Sequence, residues 1–156
     1  MKIKKILVVC TGNSCRSPMA EAFLKHCLKS EGGFEIISVG TSAIDGLGPT
    51  PEAIEVMKED EIDISSYITK PFQDVLARHA DIILAMSGTH KDFVLKKSPD
   101  TKGKVYLFKE FAGVDSPIKD INDPIGQPIS VYRNVREEIK KTAIEIARRI
   151  KQEFSS

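Results

Sequence analysis

Short apolar runs alternate with helical patterns along this 156-residue chain, and that alternation restricts the fold more than any other feature. Ile6-Leu7-Val8-Val9 predicts a buried strand over residues 5–9. Further strands are expected over 34–39, over 80–86 around Ile82-Ile83-Leu84, and over 104–108. Between them lie helical patterns: 17–30, a helix opened by Thr50-Pro51, 71–79, 90–97 and a long terminal helix over 130–154. Strands that alternate with helices build a parallel sheet covered on both faces, so the expected class is α/β. The chain is long enough for a substantial core, shows no repeat or linker, and is expected to form one domain over residues 1–156.

The connection between the first strand and the first helix carries the chemistry. It reads Cys10-Thr11-Gly12-Asn13-Ser14-Cys15-Arg16-Ser17 and runs into Pro18. A strand-to-helix turn aims unpaired backbone N–H groups and the positive helix end at one spot, which suits a tetrahedral oxyanion. Cys10 puts a thiol at that spot, and Arg16 puts a planar fork of donors there that can hold two phosphoryl oxygens at once. A helix N-terminus beside a cation favours the thiolate, so Cys10 is expected to attack phosphorus as an anion. Amides from Thr11 to Arg16, with Gly12, Ser14 and Cys15 between them, are expected to hold the phosphoryl oxygens. Ser17 is expected both to cap the helix, with Pro18 at its first position, and to donate a hydrogen bond to the sulfur. Asn13 is placed to brace a left-handed turn of the loop. The ATP-binding glycine loop is excluded, because no second Gly followed by Lys and Ser or Thr comes after Gly12.

Such a site also needs an acid for the leaving group and a base for water. The stretch 109–128 has no convincing period, and long irregular loops are usually functional. It holds Asp115, Asp120 and Asp123, and Pro124 and Gly126 set Asp123 on a stiff turn, so Asp123 is the preferred acid. Asp115 and Asp120 read as turn caps.

Composition narrows the remaining classes. A net charge of +1 gives no electrostatic case for nucleic acid or an anionic membrane. The basic start, Lys2 to Lys5, precedes an apolar run too short for a secretory signal, and no stretch could span a bilayer, so a cytoplasmic location is expected. Three cysteines at irregular spacing, Cys10, Cys15 and Cys27, argue against a disulfide framework. With three scattered histidines they also argue against zinc; no metal or cofactor is expected. Cys27 falls on the apolar stripe Ala20, Phe23, Leu24, Cys27, Leu28, with His26 toward solvent. Glu137/Lys141 and Glu145/Arg149 sit four apart on the wet face of the last helix, whose apolar rungs run from Val131 to Phe154. Cys15 is either a small buried loop residue or a redox partner that captures an oxidised Cys10.

Cys10 through Glu21, with Ser38-Val39-Gly40, Ala80-Asp81, Ala85-Met86 and Asp123-Pro124, resembles the low-molecular-weight protein tyrosine phosphatase family over nearly the whole chain. The resemblance implies a four-stranded parallel sheet with helices on both faces. It also implies metal-free phosphomonoester hydrolysis through phosphocysteine; phosphorylated proteins are the expected substrates, and a monomer is expected. It makes Cys10 the nucleophile, Arg16 the phosphate clamp, Ser17 the donor to the thiolate and Asp123 the general acid. Asn13 and Ser38 fall in a loop-bracing network, with Tyr67 where a histidine is common.

Two departures bear on substrate. Ile125-Gly126 follows Asp123-Pro124 where tyrosine-directed members often carry aromatic residues, and Ser14 stands where they are often apolar. Protein arginine phosphatases of the same family carry a threonine at that loop position, so phosphoarginine hydrolysis is the alternative. Thioredoxin-coupled arsenate reductases share the loop but use two further cysteines after the third strand. Residues 84–90 here contain none. A phosphopeptide-binding module would not need a reactive thiol beside an arginine.

Overall fold

A computed structural model describes residues 2–154. Four strands, β1 (Lys5–Cys10), β2 (Glu35–Gly40), β3 (Ile82–Ala85) and β4 (Val105–Leu107), form one parallel sheet in the order β2-β1-β3-β4. The order reverses at β1, so a crevice opens at the carboxyl ends of β1 and β3, where open α/β sheets bind ligands. Register places Cys10, the last residue of β1, beside Gly40, and Val9 beside Ala85.

Side chains along β1 alternate between two cores. Ile6, Val8 and Cys10 face the larger one, with Met19, Phe23 and Leu24 of α1 (Arg16–Leu28) and Val135, Ile139 and Ile146 of α6 (Ile129–Arg149). Leu7 and Val9 face the smaller one, with Ala77 of α3 (Asp74–His79) and Val94 of α4 (Gly88–Lys97). Each of these buried aliphatic side chains contributes roughly 1.5–3 kcal/mol. The α2 helix (Pro51–Lys58) packs on α6, and α5 (Phe108–Ala112) inserts Phe108 and Phe111 into the larger core. No helix among the described residues is long and apolar enough to cross a membrane.

Several local expectations are corrected. Helix α1 begins at Arg16 with Cys15 as its N-cap and no side-chain cap bond, so Ser17 is not the cap; its hydroxyl is turned onto Cys10 instead. Thr50 does cap α2, accepting from the Ala53 N–H at 3.3 Å. Pro71 bridges to Gly40 rather than opening α3. The irregular stretch contains α5, whose Glu110 carboxylate accepts from the Leu107 N–H and whose chain turns at left-handed Gly113. The last helix is regular only to Arg149 and closes in a π-turn, Ile150–Phe154; the Phe154 side chain lies outside the described residues. The wet-face pairs also differ. Glu137 bonds Arg136, and Glu145 bonds Arg148. Arg136 is buried where α2 meets α6, held by the Val56 carbonyl, Glu59 and Asp60, and it draws Glu137 toward that cluster.

Candidate active site

The strand-to-helix loop closes at the carboxyl end of β1. Thr41 N–H bonds the Cys10 carbonyl at 2.8 Å, Ser42 N–H the Thr11 carbonyl at 2.9 Å, and Thr50 N–H the Ser14 carbonyl at 2.9 Å. These bonds tie off the loop's carbonyls from outside. Gly40 is required by the same closeness, since a Cβ there would lie 2.4 Å from the Thr11 carbonyl oxygen and 2.9 Å from Asn13 N.

Asn13 takes a left-handed backbone, φ 56°, as its residue type permits, and its side chain is fully buried. Its four hydrogen bonds have a forced direction. The Lys70 backbone N–H can only donate, and it does so to Asn13 Oδ1 at 2.8 Å, which leaves Nδ2 to donate to Ser17 Oγ at 2.8 Å and Ser38 Oγ at 3.0 Å. Ser17 Oγ accepts that bond, so its one proton is free for Cys10 Sγ, 2.8 Å away. The Asn13 N–H points at the same sulfur at 3.3 Å. Ser38 gives its proton to Tyr67, whose hydroxyl donates to Asn13 Oδ1 at 2.8 Å. Tyr67 thus completes the circuit where a histidine was the family expectation. Burial pushes its phenol well above the ordinary tyrosine range, which keeps that proton in place at any ordinary pH.

Arg16 is 5% exposed and enters the crevice from the first turn of α1. Its Nη1 donates to the Ile121 carbonyl at 3.0 Å and its Nη2 to Thr11 Oγ1 at 3.3 Å. Asp123 Oδ2 lies 3.4 Å from Nη2. Buried Arg16 Nε has no hydrogen-bond partner among the described residues. An orphaned, buried guanidinium N–H beside a ring of loop amides is the expected mark of an anion site.

Asp123 arrives from the stretch after α5. Its Oδ1 accepts from the Ile125 N–H at 3.1 Å, an Asx turn that stands the carboxylate at the rim with its side chain 41% exposed. Asp120 is a cap, accepting from the Gly88 N–H at 2.9 Å, and Asp115 is exposed at the surface. Cys15 is buried with its sulfur 4.0 Å from Asp123 Oδ1. Burial, with the charges of Cys10 and Asp123 behind it, pushes this thiol up to about 12. Gly12 and Ser14 complete the loop, Ser14 being half-exposed at its outer face. Cys27 is half-buried on α1 and His26 exposed, away from the site.

The loop, Arg16 and Asp123 are therefore brought together, 108 residues of chain separating Cys15 from Asp123. Sequence reasoning missed His90, whose ring contacts Thr11, and the anchoring of Ile121 to the Met86 carbonyl at 2.7 Å. A histidine just after a strand predicted to end at the crevice was the available signal.

Comparison with known proteins agrees with this geometry. The family described as low molecular weight phosphotyrosine protein phosphatase matches residues 5–156. A protein-arginine-phosphatase of Geobacillus stearothermophilus is 39% identical over 153 residues, covering 96% of this chain and 97% of its own. A probable low molecular weight protein-tyrosine-phosphatase, EpsP, of Ralstonia nicotianae is 37% identical over 139 residues, covering 89% and 90%. The solved YwlE arginine phosphatase from Geobacillus stearothermophilus superposes with a TM-score of 0.88 at 36% identity, covering 96% of this chain and 94% of that one. With its parallel four-stranded sheet, its anion loop between β1 and α1 and a match over almost its whole length, the chain belongs to the low molecular weight phosphotyrosine protein phosphatase family.

Proposed function

We propose that Cys10 Sγ attacks the phosphorus of a phosphoprotein, forming a P–S bond as the bond to the leaving group breaks. Asp123, as the carboxylic acid, gives its proton to the departing oxygen. The resulting carboxylate then takes a proton from water, whose oxygen attacks phosphorus and expels the thiolate. Arg16 and the amides of Thr11, Gly12, Ser14, Cys15 and Arg16 hold the equatorial oxygens through both steps, while the Asn13 N–H and the Ser17 proton that Asn13 leaves free support the thiolate. The single observation that carries this reading is the buried, unpartnered Arg16 Nε beside a loop pinned with its carbonyls turned away. No metal or cofactor enters these steps. We read the chain as one domain acting as a cytoplasmic monomer; three unpaired cysteines fit a reducing compartment, and sedimentation analysis tests the oligomeric state.

Phosphotyrosine is the substrate that the family's own description favours. Phosphoarginine is a second reading with a specific observation behind it. The exposed apolar side chains on the segments that flank the loop are Ile44, Leu47 and Ile125, aliphatic rather than aromatic, while Asp123 offers a carboxylate that a guanidinium could engage. Relatives named as arginine phosphatases support it as well. Side-by-side kinetics on phosphotyrosine and phosphoarginine peptides decide between them, with arsenate plus thioredoxin as a third arm. Turnover of the tyrosine peptide at the higher kcat/KM supports the first reading and the reverse order the second. Thioredoxin-dependent arsenate reduction would overturn both.

A further inference from the structure

His90 sits in the first turn of α4, yet it is only 4% exposed and both ring nitrogens are engaged. Nε2 lies 2.7 Å from Thr11 Oγ1 and Nδ1 2.9 Å from Ser87 Oγ. Arg16 Nη2 can only donate, so Thr11 Oγ1 accepts from it at 3.3 Å and keeps a second lone pair and its own proton for His90 Nε2. Thr11 Oγ1 is thus held between the guanidinium and the His90 ring, and the ring is anchored in turn through Nδ1 on Ser87.

The turn that carries His90 also holds the acid-bearing stretch. Met86 and Gly88 bond Ile121 and Asp120 at 2.7 and 2.9 Å, and Arg16 Nη1 bonds the Ile121 carbonyl. The residues from Met86 to His90 therefore form a hub between the two halves of the site. We propose that His90 is a positioning residue for the phosphate clamp: by holding Thr11 Oγ1 it keeps a Thr11 lone pair on Arg16 and fixes the plane of the guanidinium.

Two facts support the assignment. Burial first, and the Arg16 charge second, bring the His90 imidazole down to about 4, so at neutral pH the ring is uncharged and adds no cation beside Arg16. Second, an imidazole buried on an otherwise ordinary helix face must have both nitrogens satisfied, and the partners it has chosen are the loop and its own N-terminal turn. Both are more specific than packing requires.

The proposal rests on the phosphatase reading, and the test separates the two. Gln at 90 reaches the place of Nε2 and keeps the bond to Thr11, whereas Asn reaches only the place of Nδ1 and keeps the bond to Ser87. Inorganic phosphate affinity by calorimetry and kcat/KM on p-nitrophenyl phosphate are measured for wild type, His90→Gln, His90→Asn, Thr11→Val and the Thr11→Val/His90→Asn double variant. Both single His90 variants lose the same ring, so their unfolding midpoints should fall together. Expected is a loss of about tenfold or more in both readouts for His90→Asn, since a guanidinium misplaced by a fraction of an ångström loses its bidentate grip. His90→Gln should stay within about threefold of wild type, and the Asn penalty should vanish in the Thr11→Val background. Equal behaviour of Gln and Asn, or an Asn penalty that survives without the Thr11 hydroxyl, overturns the proposal. Absence of turnover in wild type would sink the phosphatase reading instead, while phosphate affinity across the variants would still decide the role of His90.

Discussion

Asn13 offers the sharpest separation of stability from chemistry. In Asn13→Ala the Lys70 N–H loses its acceptor, at a cost of about 1–3 kcal/mol for a buried donor. Alanine at φ 56° adds roughly 1–2 kcal/mol of left-handed strain. Ser17, Ser38 and Tyr67 each keep another partner and add little. The sum is about 2–5 kcal/mol, which for a domain of this size lowers the unfolding midpoint by roughly 4–20 °C. Asn13→Asp behaves differently. Aspartate tolerates the left-handed backbone and still accepts from Lys70 and Tyr67, so its stability loss should be the smaller of the two. It has no N–H to give Ser17, however, so the Ser17 proton turns to the carboxylate and leaves Cys10. The Asp variant should thus be the more stable and should still lose about a hundredfold or more in kcat, since a preorganised donor to the thiolate is gone. Urea unfolding and steady-state kinetics on the same preparations check both halves. An Asp variant with near wild-type kcat, or an Ala variant as stable as wild type, would refute the reasoning.

Other outcomes follow from the same geometry. Gly40→Ala forces a methyl to within 2.4 Å of the Thr11 carbonyl, so phosphate affinity and turnover should fall at least tenfold even where the fold survives; calorimetry with inorganic phosphate reads this. Stability should fall with pH between about 6.5 and 4, because the unfolded His90 takes up a proton that the folded one refuses until about 4. The loss is roughly 2 kcal/mol after discounting for solvent at the crevice, should level off below that window, and should be absent in His90→Gln. Asp123→Ala should slow hydrolysis of esters with poor leaving groups much more than of those with good ones; equal slowing across a series of aryl phosphates would place the acid elsewhere.

How far the sequence could be read depended on whether a feature was local. β1, the loop and α1 were legible because Ile6 to Val9, the loop and the stripe through Leu24 lie side by side in the chain. Helix α5 was not, being five residues long and stabilised by Phe108 and Phe111 finding a core built by distant segments. The pairs on α6 were misassigned because Arg136, fixed by α2, competes for Glu137. Cys10, Arg16 and Asp123 could be nominated from residue type and turn chemistry. His90 could not, since it acquires a role only when the sheet brings it to Thr11 across 79 residues. Ser17 was assigned two jobs, a cap and a donor. A cap must turn its oxygen to the helix amides, and the structure turns the Ser17 oxygen to Asn13 Nδ2 and its proton to the sulfur instead.

The most direct measurement is a rapid acid quench of wild-type enzyme with a ³²P-labelled phosphopeptide, followed by peptide mapping. Phosphorus bound to Cys10 Sγ within one turnover is the expected result, with none in Cys10→Ser. Continued hydrolysis with no label on that sulfur would contradict the central claim.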